Sequence, residues 1–133
     1  MTTASRDGRD DPADPAELLP EDSVLDFEEY MAMQRAIGQG TRYRLLHYLL
    51  SRGEASPKEL KEALDLTGNT LHHHLNTLVD VGLVEKRARK EADSRGLYTY
   101  YRATAFGEAI LEHGVAELLT AEATYRELYA TEQ

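Results

Sequence analysis

Apolar positions along the chain change their period twice. From Val24 to Val81 they recur every three or four residues, from Leu83 to Ala103 they alternate, and from Thr104 the longer period returns. A period near 3.6 marks a helix with one buried stripe, and a period of two marks a strand. The first helix is expected from Val24 to about Ile37, capped by Asp22 or Ser23 and broken by "GQG" at Gly38–Gly40. Thr41 opens a second helix, in which Tyr43, Leu46, Leu49 and Leu50 share a face and Gly53 ends the run. "SPKE" from Ser56 puts serine at the N-cap, proline at the first helical position and glutamate three residues after the cap. Ser56 and Glu59 can each satisfy a backbone N–H left without an intrahelical partner. This short helix turns Leu60, Ala63 and Leu64 inward and ends near Asp65. Thr67 caps the next, which runs to about Val81, and Gly82 suits the left-handed position beyond it. "LVEKRA" and "LYTYYRA" read as the strands of a hairpin with the polar tip "RKEADSRG". Thr104 caps a final helix of up to about 25 residues.

The fold class that follows is mainly α with a small β-hairpin. A short helix, a three-residue link and a second helix make a helix-turn-helix, and the hairpin behind it makes a wing. The stretch "SPKELKEALDLTGNTLHHHLNTLVDVGLVEKR" resembles the core of winged-helix regulators of the ArsR and PadR-like type, particularly those of halophilic archaea. The resemblance covers about residues 36–112. It implies a winged helix-turn-helix with a long C-terminal dimerisation helix, acting as a homodimeric, sequence-specific transcription regulator on double-stranded DNA. One known member type answers oxidative stress. ArsR relatives often sense metals through cysteines in the short helix; here that segment is "KELKEALDL".

Composition narrows the picture. The chain has 133 residues, 41% hydrophobic, which fits one domain with a modest core. No apolar run approaches the ~20 residues of a membrane span, and the acidic N-terminus lacks the basic-then-apolar order of a signal peptide. A soluble, cytoplasmic protein is expected. There is no cysteine, so disulfides and thiolate metal sites are excluded. Residues 1–22 hold three of the four prolines and few large apolar side chains, the composition of a disordered acidic tail. The layout expected is this tail, a DNA-binding domain over residues 23–104 and a dimerisation helix over 105–133. Charge is uneven: residues 1–29 carry −8, residues 30–104 carry +4, and residues 105–133 carry −5. A basic centre points to an anionic partner. Acidic ends brought to a polyanion also call for salt cations bound at the interface. The alternative is a winged-helix protein-interaction module that does not bind DNA; the acidic ends favour it and the basic wing opposes it.

The three consecutive histidines decide what chemistry is on offer. At ~100° per residue, with Leu71 at zero, Leu75 lies at about 40° and Leu78 at about 340°, which marks the buried stripe. On the same step His73 falls at about 200°, flanked by Asn69 at about 160° and Asn76 at about 140°, while His74 falls at about 300°. The imidazoles point three ways, whereas metal-binding histidines on a helix come at i and i+4. No metal site, no cofactor and no catalytic group is expected, and no nucleophile or paired carboxylate accompanies them. The outer face offers Asn69, His73 and Asn76, with Thr70 and His72 at its edges. Amides, hydroxyls and imidazoles suit base edges in a major groove, whereas solvated faces favour Glu and Lys. His74 is assigned a structural role, packing or bonding a backbone group. Lys86, Arg87, Arg89, Lys90 and Arg95 of the hairpin, and Arg42 and Arg44 of the second helix, are candidates for phosphate or a narrow minor groove. In the last helix Leu111, Leu118 and Tyr125 are spaced by seven, with Gly114, Ala121 and Leu128 as companions, the pattern of a dimer seam. His113 and Glu117 stand at i and i+4, and two ligands make a weak case for a metal.

Overall fold

A computed structural model describes residues 5–6, 8–9, 14–91 and 96–130. The chain separates into two units, residues 1–32 and 33–133. In the first, β1 (Ser5–Arg6) pairs antiparallel with β2 (Gly8–Arg9), and a 3-10 turn follows at Pro15–Leu18. None of the residues from Asp14 to Asp22 is buried. Helix α1 (Phe27–Ile37) starts later than the apolar pattern predicts. The cap is Asp26, whose Oδ1 accepts from the Glu29 N–H at 2.8 Å while Glu29 Oε1 accepts from the Asp26 N–H at 2.9 Å. Ser23, one of the expected caps, donates instead to the Leu25 carbonyl at 2.7 Å.

In the second unit α2 (Gly40–Arg52) also departs from expectation at its start. Gln39 is the cap: its side-chain oxygen accepts from the Arg42 N–H at 2.8 Å. Helix α3 (Pro57–Leu64) carries the predicted box, with both Ser56–Glu59 bonds formed. Asp65, in the left-handed conformation at φ 54°, turns the chain toward α4 (Gly68–Asp80), which Thr67 caps. Gly82 has the positive φ, 85°, that the pattern required. Strands β3 (Val84–Lys90) and β4 (Leu97–Ala103) pair antiparallel from Val84↔Ala103 to Lys90↔Leu97. Arg89 and Lys90 therefore belong to the strand and not to the tip. Ala55 exchanges both backbone hydrogen bonds with Tyr101, at 3.1 and 2.8 Å, which ties the hairpin to the chain between α2 and α3.

One core joins these elements. Leu45, Leu46 and Leu49 of α2, Leu60 of α3, Leu75 and Leu78 of α4, and Leu83 are all fully buried, with Leu71, Val84 and Tyr101 beside them. The predicted stripe of α4 is thus the face that packs. Truncating one such leucine removes apolar burial and leaves a cavity, a cost of about 2–5 kcal/mol. Thr104 caps the following helix and donates to the Gly82 carbonyl at 2.6 Å. Gly107 lets that helix lie against Leu83, since a Cβ there would collide with the Leu83 carbonyl oxygen.

The continuous last helix expected from Thr104 is instead three segments: α5 (Ala105–Glu112), α6 (Val115–Thr120) and α7 (Glu122–Ala130). Gly114 leaves the helical region at φ −119° and ψ −130°, and a Cβ would come within 2.7 Å of the Ile110 carbonyl oxygen. Ala121 marks the second break.

Candidate nucleic-acid interface

Helix α4 divides by face. Leu71, His74, Leu75 and Leu78 are buried, while Asn69, Thr70, His72, His73 and Asn76 are exposed. All five of those predicted residues therefore reach solvent from one element. From Gly68 to Val79 the helix has no carboxylate, lysine or arginine. What it presents is a set of neutral donors and acceptors, a composition that can read base edges but attracts phosphate weakly. Two hydroxyls are partly committed: Thr67 donates to the Thr70 oxygen at 3.0 Å, and Thr77 donates to the His73 carbonyl at 3.1 Å.

His74 is held by a side chain and not by backbone. Its Nδ1 lies 3.2 Å from Arg42 Nη1, and Arg42 Nε donates to the Ala36 carbonyl at 2.6 Å. This corrects the expectation for Arg42. A guanidinium engaged twice within the protomer, and only partly exposed, is not a free phosphate ligand.

The wing is less basic in effect than in sequence. Strand alternation puts Glu85, Arg87 and Arg89 on one face, across from Arg102, Tyr100 and Tyr98. Glu85 Oε1 accepts from Arg87 at 2.6 Å and from Arg102 at 2.8 Å. These hydrogen bonds hold the Glu85 carboxyl below the usual carboxylate range. Arg89 pairs with Glu54 at 2.9 Å and lies over the rings of Tyr98 and Tyr100, at 4.9 and 4.8 Å from their centroids. The hydrogen bond that Arg89 donates to Glu54 raises the Arg89 pKa, and Tyr98 in turn donates to Glu59 at 3.4 Å. Lys86 and Lys90, on the other face, have no ion pair among the described residues. Arg95 lies outside the described residues. Sequence reasoning missed Glu54 and Glu85 as partners and Arg102 as a member of the cluster. The alternation of Glu85, Arg87 and Arg89 was the available signal, but only the strand register shows what faces them.

A helix-turn-helix domain family matches residues 37–87, from the end of α1 to the middle of β3. The chain carries a helix-turn-helix domain with a two-stranded wing behind it. A transcriptional regulator homologue from Pyrococcus horikoshii OT3 is 24% identical, aligning 74% of this chain with 98% of its own at a TM-score of 0.58. HlyU from Vibrio cholerae N16961 is 29% identical over 64% of this chain and 86% of its own, with a TM-score of 0.52. The homodimeric winged helix-turn-helix DNA-binding domain of a possible ArsR-family transcriptional regulator from Mycobacterium bovis is 22% identical over 74% and 84%, with a TM-score of 0.57. No curated protein matches the chain.

Around this winged helix the C-terminal segments leave apolar surface uncovered. Val115, Leu118, Leu119 and Leu128 are exposed, with Leu118 and Leu128 each at 56%. Leu111, at 4%, packs inside its own protomer and is not available to a second chain. The Tyr125 side chain lies outside the described residues. A groove of about 470 Å³ runs between the start of α2 and α6, lined by Tyr43, Arg44, His47, Val115 and Leu119. Arg44 is exposed at that groove. His113 Nδ1 lies 3.5 Å from Glu117 Oε1, and among the described residues no group of three or more metal-ligating side chains comes together. Among the same residues no helix is long and apolar enough to cross a membrane.

Proposed function

We propose that this winged helix is a sequence-specific DNA-binding transcription regulator that works in the cytoplasm as a homodimer. Helix α4 enters the major groove and reads base edges with Asn69, His73 and Asn76, assisted by Thr70 and His72. The wing meets the backbone or the minor groove through Lys86 and Lys90. The observation that carries the reading is the two-faced α4, with a fully packed leucine stripe behind an exposed face of uncharged hydrogen-bonding groups. Rigid backing holds those groups where base pairs can select among them. The dimer forms through the C-terminal segments, with Leu118, Ala121 and Leu128 facing the partner and Gly114 permitting close approach. Exposed apolar area at these leucines supports that placement. Two α4 helices then address half-sites about one DNA turn apart. Salt cations between carboxylates and phosphates complete the interface.

The test is a selection from sheared genomic fragments followed by footprinting. A retained pseudo-palindrome is expected; fragments held in proportion to their abundance would overturn the reading. One observation favours a second reading, a protein-interaction module: Glu54 and Glu85 already occupy Arg87, Arg89 and Arg102. Under that reading no duplex is bound at any salt concentration.

A further inference from the structure

The bond between Arg42 and His74 joins three helices. Arg42 stands in the first turn of α2. Its Nε donates to the Ala36 carbonyl in the last turn of α1, where intrahelical donors run out, at 2.6 Å. Its Nη1 reaches Nδ1 of His74, in the middle of α4, at 3.2 Å. A guanidinium has no acceptor, so Nδ1 must accept, and the ring is neutral with its proton on Nε2. His74 is 8% exposed. Among the described residues no carboxylate pairs with Arg42. The His74 ring also lies against that of His73, centroid to centroid 5.4 Å, and His73 is the central residue of the exposed face. A line of contacts therefore runs from the end of α1 through Arg42 and His74 to the face that meets DNA.

We propose that Arg42 is a positioning residue for α4: by bridging the Ala36 carbonyl and the neutral His74 ring it sets the rotation at which Asn69, His73 and Asn76 are presented. The proposal rests on the reading that α4 contacts DNA. It adds a condition to that reading, because a protonated His74 has no acceptor for Arg42 and places two cations within hydrogen-bond distance. The charged and titratable groups acting on the ring are Arg42 from α2 and His73 from α4 itself. Burial first, and then these two, hold His74 below the ordinary histidine range. Base readout is thus secure at neutral pH and fails on acidification, while attraction to phosphate does not.

The experiment measures the ratio of affinities for a selected genomic fragment and a scrambled duplex, between pH 7.5 and 5.5, using the full chain. In the unmodified protein the ratio should fall toward pH 5.5, by less than the roughly tenfold that one lost base contact represents, because the lowered His74 pKa leaves part of the population neutral there. His74→Asn keeps an acceptor oxygen near the Nδ1 position and cannot titrate, so its ratio should hold across the range. Arg42→Gln should show the reduced ratio already at pH 7.5, with no further pH dependence. Nitrogen-15 spectra of the free protein, labelled at histidine, supply an arm that needs no DNA and no variant. They should show His74 neutral and protonated at Nε2. An Nδ1-protonated His74, or a pH-independent ratio in the unmodified protein, would overturn the proposal alone. So would an equal acid loss in His74→Asn, which would assign the effect to a group other than His74. Absence of any preferred fragment at every pH would overturn the DNA reading, and this proposal with it.

Discussion

Glu85→Gln tests whether the wing face that carries the arginines meets DNA. Glu85 Oε1 accepts from both Arg87 and Arg102, so the three side chains together carry a charge of +1. The amide carries none, and the cluster rises to +2. An amide oxygen can still hold one guanidinium, so one or two arginines become free to find phosphates. Each phosphate contact contributes about −0.9 to the slope of log affinity against log salt. Lys86 and Lys90 alone would give the wing a slope of about −1.8 per protomer, and one released arginine takes it to about −2.7. The same relation makes one added contact worth about eightfold in affinity at 0.1 M KCl relative to 1 M. The assay is fluorescence anisotropy with a duplex lacking the preferred site, titrated from 0.1 to 1 M KCl. The variant should bind more tightly at 0.1 M, converge with the unmodified protein at 1 M, and leave sequence preference unchanged. Glu108→Gln on α5 removes the same charge away from the wing and should not alter the slope. An unchanged slope in Glu85→Gln would refute the reasoning, because it would mean that this face of the wing does not approach phosphate.

His73→Ala and Asn69→Ala should each cost ~1–3 kcal/mol at the preferred site and little elsewhere, whereas Lys90→Ala should weaken all duplexes alike; competition binding separates the two. Leu118→Glu places a charge in the proposed dimer contact and should yield monomers by light scattering; a persistent dimer would put the interface elsewhere. Leu75→Ala should lower unfolding free energy by about 2–5 kcal/mol in a denaturant titration, since Leu75 is fully buried. Stability should fall as pH drops below about 6.5: the folded His74 pKa is lowered, so the unfolded chain binds the proton first. That loss should be present in thermal melts of the unmodified protein and smaller in His74→Asn.

Local chemistry made much of this winged helix legible in one dimension. The box at Ser56–Glu59, the cap at Thr67, the left-handed Gly82 and the inward stripe of Leu71, Leu75 and Leu78 all follow from spacing of a few residues. For the same reason His73 could be placed outward and His74 inward by counting helical steps. The starts of α1 and α2 were harder to read, because Asp26 competes with nearby Ser23 as a cap, Gln39 is an uncommon one, and only the packed backbone decides where each helix begins. Pairing across long separations was not legible at all. Arg42 and His74 are 32 residues apart and Arg89 and Glu54 are 35 apart, so nothing local marks them as partners. The break at Gly114 depends on how close the Ile110 carbonyl comes. Which arginines remain free for DNA is a matter of strand register and tertiary contact. Sequence determines the residues each element presents, because side-chain direction follows backbone period. Only the assembled fold decides which of their charges are already answered.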